Sequence, residues 1–128
     1  MIKFWSYQTE YKNIRKKLLK SIDKTIKKGT IFFGNQLLNF EKSFIRQNKG
    51  IYGAAVGSGT EALIIALKLF NIQKGDEVIT VSNTAIPTIS AITNVGGNPI
   101  FIDIGDDYLI DVNKIEKLIT KKTKAIIP

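Results

Sequence analysis

An α/β fold, a mainly parallel sheet with covering helices behind a helical lead-in, is what this 128-residue sequence predicts. Three observations lead there. Apolar residues recur at three- and four-residue steps in the front of the chain, and from Ile51 onward short β-prone runs alternate with helical segments. The first of those runs meets its helix through a glycine turn, Gly57-Ser58-Gly59. Residues 1–50 are therefore expected to form the lead-in, and residues 51–128 the α/β part.

In the lead-in, Tyr11, Ile14, Leu18, Ile22 and Ile26 line one side of a 3.6-residue helix, surrounded by Lys12, Lys16, Lys17, Lys20, Lys24, Lys27 and Lys28. Residues 1–50 carry 12 basic and 3 acidic side chains against 7 and 8 in the remainder, so the formal charge of +8 belongs to the front. The basic face can be read as a phosphate-binding or non-catalytic interaction surface, or as the solvated side of a helix that docks through its apolar stripe. Arginine is scarce and no basic–aromatic interleaving accompanies the lysines, which favours the second reading and makes nucleic acid an unexpected partner. A second helix is expected through Leu37, Phe40, Phe44 and Ile45, after the Gly34-Asn35 turn signal and ending near Asn48 and Gly50.

Behind it, strands are expected at Tyr52–Val56, Glu77–Val81, Pro99–Ile104 and Lys124–Ile127, with helices at Thr60–Phe70, Ala85–Thr93 and Val112–Ile119 between them. Lys74-Gly75-Asp76 and Gly96-Gly97-Asn98 separate these elements, Asp111 is the expected N-cap of the last helix, and Pro87 falls in a first helical turn, where its missing N–H costs little. Right-handed crossovers would bring the helix N-termini to the sheet edge where the strands end, the edge at which open α/β sheets bind ligands. The helix Glu61–Phe70 is apolar around most of its circumference and should be buried on more than one side. The last strand ends beside Pro128 with nothing to cover it, so the chain reads as part of a larger domain.

Composition removes several function classes. With no Cys and no His there is no disulfide framework, thiolate nucleophile, Ser-His-Asp triad or conventional zinc site. No apolar run approaches the ~20 residues that span a bilayer, and a soluble cytoplasmic protein is the expectation. Asp106, Asp107 and Asp111 form an acidic loop without calcium-loop spacing, so capping and solvation are expected of them and no metal. Trp5 and Tyr7 are expected to anchor the start of the chain.

The turn Val56-Gly57-Ser58-Gly59-Thr60-Glu61-Ala62 carries the chemistry. Small residues let the backbone approach an anion, and the free N–H groups opening a helix, with the Thr60 hydroxyl, can donate to it. A phosphate site at this turn is the natural reading; a plain Ser/Thr-capped turn without a ligand is the alternative. Formally the run also fits the dinucleotide fingerprint G-x-G-x-x-A, as in a fragment of an oxidoreductase. The carboxylate that would hold the ribose must stand at the far end of the following strand, however, and Asp76 and Glu77 precede that strand. At the correct end stand the uncharged Ser82, Asn83 and Thr84.

From about Gly29 to Pro128 the sequence resembles the DegT/DnrJ/EryC1/StrS sugar aminotransferases, fold-type-I pyridoxal-phosphate enzymes. The resemblance rests on ordered blocks: Gly34 with Phe40-Glu41 and Phe44; Gly57-Ser58-Gly59-Thr60-Glu61-Ala62-Leu63; Lys74-Gly75-Asp76-Glu77-Val78; and Thr84-Ala85-Ile86-Pro87-Thr88. Gly97-Asn98-Pro99-Ile100-Phe101-Ile102-Asp103 and Thr123-Lys124-Ala125-Ile126-Ile127-Pro128 complete them. It implies that this is the N-terminal part of the large domain, that the cofactor is pyridoxal 5'-phosphate, and that its phosphate lies at Gly59-Thr60 with Ser58 close by. It further implies that the complete enzyme is a homodimer moving an amino group from an amino acid, with glutamate the expected donor, to a nucleotide-linked keto-sugar in polysaccharide biosynthesis. Where many members stack an aromatic residue on the pyridine ring this sequence has Ala85, and a methyl group cannot stack. The Asn83-Thr84-Ala85 variant is similar to the branch that aminates dTDP-linked 3-keto sugars. In the family the Schiff-base lysine and the aspartate facing the pyridinium nitrogen come from later segments. None of the 17 lysines here matches, no catalytic residue is assigned, and the 128 residues by themselves are expected to be inactive.

Overall fold

Eight elements follow one another in the computed structural model, which describes residues 5–128. They are α1 (Tyr7–Lys27), α2 (Asn35–Gln47), α3 (Gly59–Leu69), β1 (Glu77–Val81), α4 (Ile86–Asn94), β2 (Asn98–Ile102), α5 (Val112–Leu118) and β3 (Thr123–Ile127). The chain divides into two compact units, Met1–Ala55 and Val56–Pro128.

Within the first unit, the stripe on α1 forms as its periodicity requires, yet Tyr11, Ile14, Leu18, Ile22 and Ile26 all remain exposed. Leu18, Ile22 and Ile26 line an open apolar groove together with Ile31. Phe40 and Phe44 stack one turn apart on α2, with ring centroids 5.8 Å apart. Trp5 and Tyr7 contact each other and both stay exposed, so neither is packed into a core among the described residues of their unit.

In the second unit the three strands are parallel in the order β2-β1-β3. From β1 the chain steps to one side through α4, then back across to the other side through α5. The two crossovers use opposite faces of the sheet, as a common handedness requires. Val78 packs with Leu67, Ile72, Ala91 and Ile92 beneath α3 and α4, whereas Ile79, Val81 and Ile102 pack with Ile115 and Leu118 of α5. The central strand β1 is thus covered on both faces, and its residues Val78–Val81 are buried.

Three expectations fail. Tyr52–Val56 is not a strand: Tyr52 is 92 % exposed, and among the described residues the segment has no ladder partner. A β-prone run leaves its backbone groups unpaired without a neighbouring strand, and the Ala55 N–H instead donates to Glu41 Oε1 at 2.8 Å. The strand expected at Pro99–Ile104 is β2 and ends at Ile102, with Ile104 in an isolated antiparallel bridge to Ile110. Helix α3 is buried along one stripe only, which packs on α4 and, through Leu67, on Val78 of β1; Leu67 is enclosed, while Leu69 and the C-cap Phe70 face solvent.

Helix ends follow local chemistry. Asn71 (φ 53°) and Gly96 (φ 87°) take the left-handed position after α3 and α4. Ile72 then donates to Leu67 O and Gly97 to Ile92 O, closing both helices with the six-to-one hydrogen bond that suits Gly or Asn at that position. At the start of α5, Asp111 accepts from Asn113 N–H at 3.1 Å, as expected of its N-cap.

Candidate phosphate-binding turn

Because only residues 70–76 connect α3 to β1 and α3 packs back on that strand through Leu67 and Val78, α3 runs antiparallel to the sheet. Its N-terminus therefore lies toward the edge where β1 ends. Ser58 is the N-cap of α3, in extended conformation, and its hydroxyl oxygen accepts from Glu61 N–H at 3.1 Å. The Glu61 carboxylate folds back and accepts from Gly57 N–H at 2.8 Å. Ser58-x-x-Glu61 is thus a reciprocal capping arrangement, shifted by one residue from the usual partner at its carboxylate end. Gly59 and Thr60 open the helix, and the hydrogen bonds among the described residues leave the N–H groups of Ser58, Gly59 and Thr60 unpaired.

The two glycines do different things. A Cβ on Gly57 would lie 2.8 Å from the Glu61 carboxylate, so the missing side chain there makes room for this chain's own carboxylate. A Cβ on Gly59 would meet nothing within 4 Å. Neither glycine has positive φ, so backbone conformation does not call for glycine at 59. The open space over Gly59, beside free N–H donors at the positive end of a helix, fits a phosphate group.

Beyond β1, the hydroxyls of Thr84 and Thr88 pair at 2.8 Å across the start of α4, with Thr88 buried. Ala85 is the N-cap of α4 and Pro87 lies in its first turn. Asp76 and Glu77 stand at the opposite edge and are committed there. Asp76 accepts from Gln73 N–H at 2.9 Å, and Glu77 accepts from the Thr120 hydroxyl at 2.6 Å. Neither is placed to hold a ribose beside the glycine turn, which removes the main support for a dinucleotide site. Asp107 accepts from Leu109 N–H and Asp111 caps α5, so two of the three carboxylates in that loop have local partners. Lys114 bridges Asp111 (3.3 Å) and Asp103 (3.6 Å).

Glu61 went unassigned in the sequence, although serine followed three positions later by glutamate is a recognisable helix-start signal. The Thr84–Thr88 pair had only its one-turn spacing to announce it.

Residues 12–128 match the model of the DegT/DnrJ/EryC1/StrS aminotransferase family. The chain is 39 % identical over 125 residues to dTDP-3-amino-3,4,6-trideoxy-alpha-D-glucose transaminase of Micromonospora megalomicea subsp. nigra, covering 97 % of this chain and 33 % of that protein. It is 37 % identical over 116 residues to UDP-N-acetyl-3-dehydro-alpha-D-glucosamine 3-aminotransferase of Acidithiobacillus ferrooxidans, covering 90 % and 31 %. Among solved structures, a DegT DnrJ EryC1 StrS aminotransferase from Brucella abortus superposes with TM-score 0.88 at 27 % identity, covering 100 % of this chain and 36 % of that one. NtdA from Bacillus subtilis with bound cofactor PMP gives TM-score 0.82 at 34 % identity, covering 89 % and 26 %. The chain spans about a third of the length of the relatives it matches. Sequence match, superposition and the order of elements around the glycine turn agree, and the chain belongs to the DegT/DnrJ/EryC1/StrS aminotransferase family.

Proposed function

We propose that this chain forms the N-terminal part of the large domain of a pyridoxal-phosphate-dependent sugar aminotransferase, and that Ser58, Gly59 and Thr60 hold the cofactor's phosphate. The observation that carries this reading is the turn itself: three unpaired N–H groups at the start of α3, the Thr60 hydroxyl beside them, and open space where a Gly59 side chain would stand. Pyridoxal phosphate supplies the electron sink that transamination needs when it is bound. The residues present here bind and orient its phosphate end. Ala85 offers no ring to the pyridine face, so orientation of the ring falls to other groups.

The substrate proposed for the complete protein is a nucleotide-linked keto-sugar, with an amino acid, glutamate, as donor. The names of the two transaminase relatives support that class. The dTDP-linked 3-keto sugar is the finer reading; Asn83-Thr84-Ala85 and the Micromonospora relative support it. A homodimer and a cytoplasmic location belong to the same proposal. Among the described residues, no helix is long and apolar enough to cross a membrane.

Pyridoxamine phosphate tests the site without forming Schiff bases on surface lysines. The wild-type chain should prefer it over pyridoxamine, and Thr60→Val should reduce that preference about three- to tenfold through loss of the hydroxyl hydrogen bond. NAD binding without pyridoxamine phosphate binding would replace this reading with the dinucleotide one.

A further inference from the structure

We propose that Glu61 is the positioning residue of the phosphate turn, a role that rests on the phosphate-site reading above. Its carboxylate holds Gly57 N–H at 2.8 Å while its own N–H is held by Ser58 Oγ at 3.1 Å. Two donors of the turn are therefore committed to this chain's own acceptors, and the donors left over are those of Ser58, Gly59 and Thr60. A Cβ added at position 57 would stand 2.8 Å from the carboxylate oxygen, which would have to shift from its present place. Glycine at 57 and glutamate at 61 thus form a matched pair, and the pair fixes the backbone on the approach to Ser58. A turn fixed before the ligand arrives does not lose that conformational freedom on binding.

The carboxylate also brings a negative charge to the helix start that a phosphate would share. What positions the turn is the hydrogen bond, not the charge. Glutamine keeps an acceptor oxygen at the same reach and removes the charge, whereas alanine removes both. Glu61→Ala should therefore weaken pyridoxamine phosphate binding about five- to tenfold, and Glu61→Gln should bind as tightly as wild type or more tightly. Gly57→Ala displaces the carboxylate and should lose as much as Glu61→Ala, while the double variant should lose no more than either single one.

Titration of the 128-residue chain and its variants with pyridoxamine phosphate, beside amide hydrogen exchange of the ligand-free proteins, tests this. Exchange at Gly57 should quicken in Glu61→Ala and Gly57→Ala but not in Glu61→Gln, with protection at Ile79 in β1 unchanged as the folding control. Unaltered affinity in Glu61→Ala, additive losses in the double variant, or Glu61→Gln binding as weakly as Glu61→Ala would each overturn the positioning role and leave the phosphate site standing. If the wild-type chain shows no preference for pyridoxamine phosphate over pyridoxamine, the site reading fails and the positioning role goes with it, whatever the Gly57 exchange rate.

Discussion

Thr80 sits in the middle of β1 with no exposed surface, and its hydroxyl has no hydrogen-bond partner among the described residues. Burying an unpaired hydroxyl costs about 1–3 kcal/mol, and valine has nearly the same shape without it. Thr80→Val should therefore stabilise the second unit by about 1 kcal/mol, seen as a higher denaturant midpoint with an unchanged slope; a lower midpoint would mean that the hydroxyl has found a partner. Residue-scale chemistry also divides the glycine turn. Phosphate-type spacing in Gly57-Ser58-Gly59-Thr60 was legible because it depends on a few adjacent residues. That Gly57 serves the Glu61 carboxylate while Gly59 faces open space was not, because two glycines look alike in sequence and differ only in what surrounds them.

Among the elements, α5 gives a pH signature. Burial pushes the Asp111 carboxyl up, but the Asn113 N–H and Lys114 outweigh it and hold the pKa below the ordinary 3.8. Lys114 is raised above 10.5, chiefly by its hydrogen bond to Asp111, with burial opposing. A depressed carboxyl contributes stability above its unfolded pKa and loses it as pH falls through the folded value. The raised lysine contributes fully below its unfolded pKa and loses its share as pH climbs through the folded value. Asp111→Asn keeps a capping oxygen and removes the titration, so thermal melts should show a shallower loss of stability below about pH 4 than in wild type. An acid limb identical to wild type would remove Asp111 from the account. Helices α3, α4 and α5 were legible to within one or two residues because Ser58, Asn71, Gly96 and Asp111 act on their immediate neighbours. The run Tyr52–Val56 misled for the opposite reason: its β-branched and aromatic residues favour a strand, but a strand exists only where another backbone lies alongside.

At the scale of the whole chain, the segment after α2 lies outside regular structure, as does the one before it. Phe32, Phe33 and Tyr52 are 79 %, 90 % and 92 % exposed there. Brief chymotrypsin treatment should cut at these three residues before Phe101, which is half-exposed but pinned in β2, and mass spectrometry of early fragments would show the order. First cleavage at Phe101 would contradict the pairing of β2 with β1. By itself the sequence determined the α/β class, the parallel strand–helix rhythm, the helix ends and the place of the glycine turn, since periodicity and capping act over a few bonds. Only the tertiary structure decided that β1 lies between β2 and β3, that Glu77 pairs with Thr120 across the sheet edge, that α3 buries a single stripe, and that Glu61 reaches back to Gly57. Each of these depends on which groups meet across space, and local residue preferences leave those meetings open.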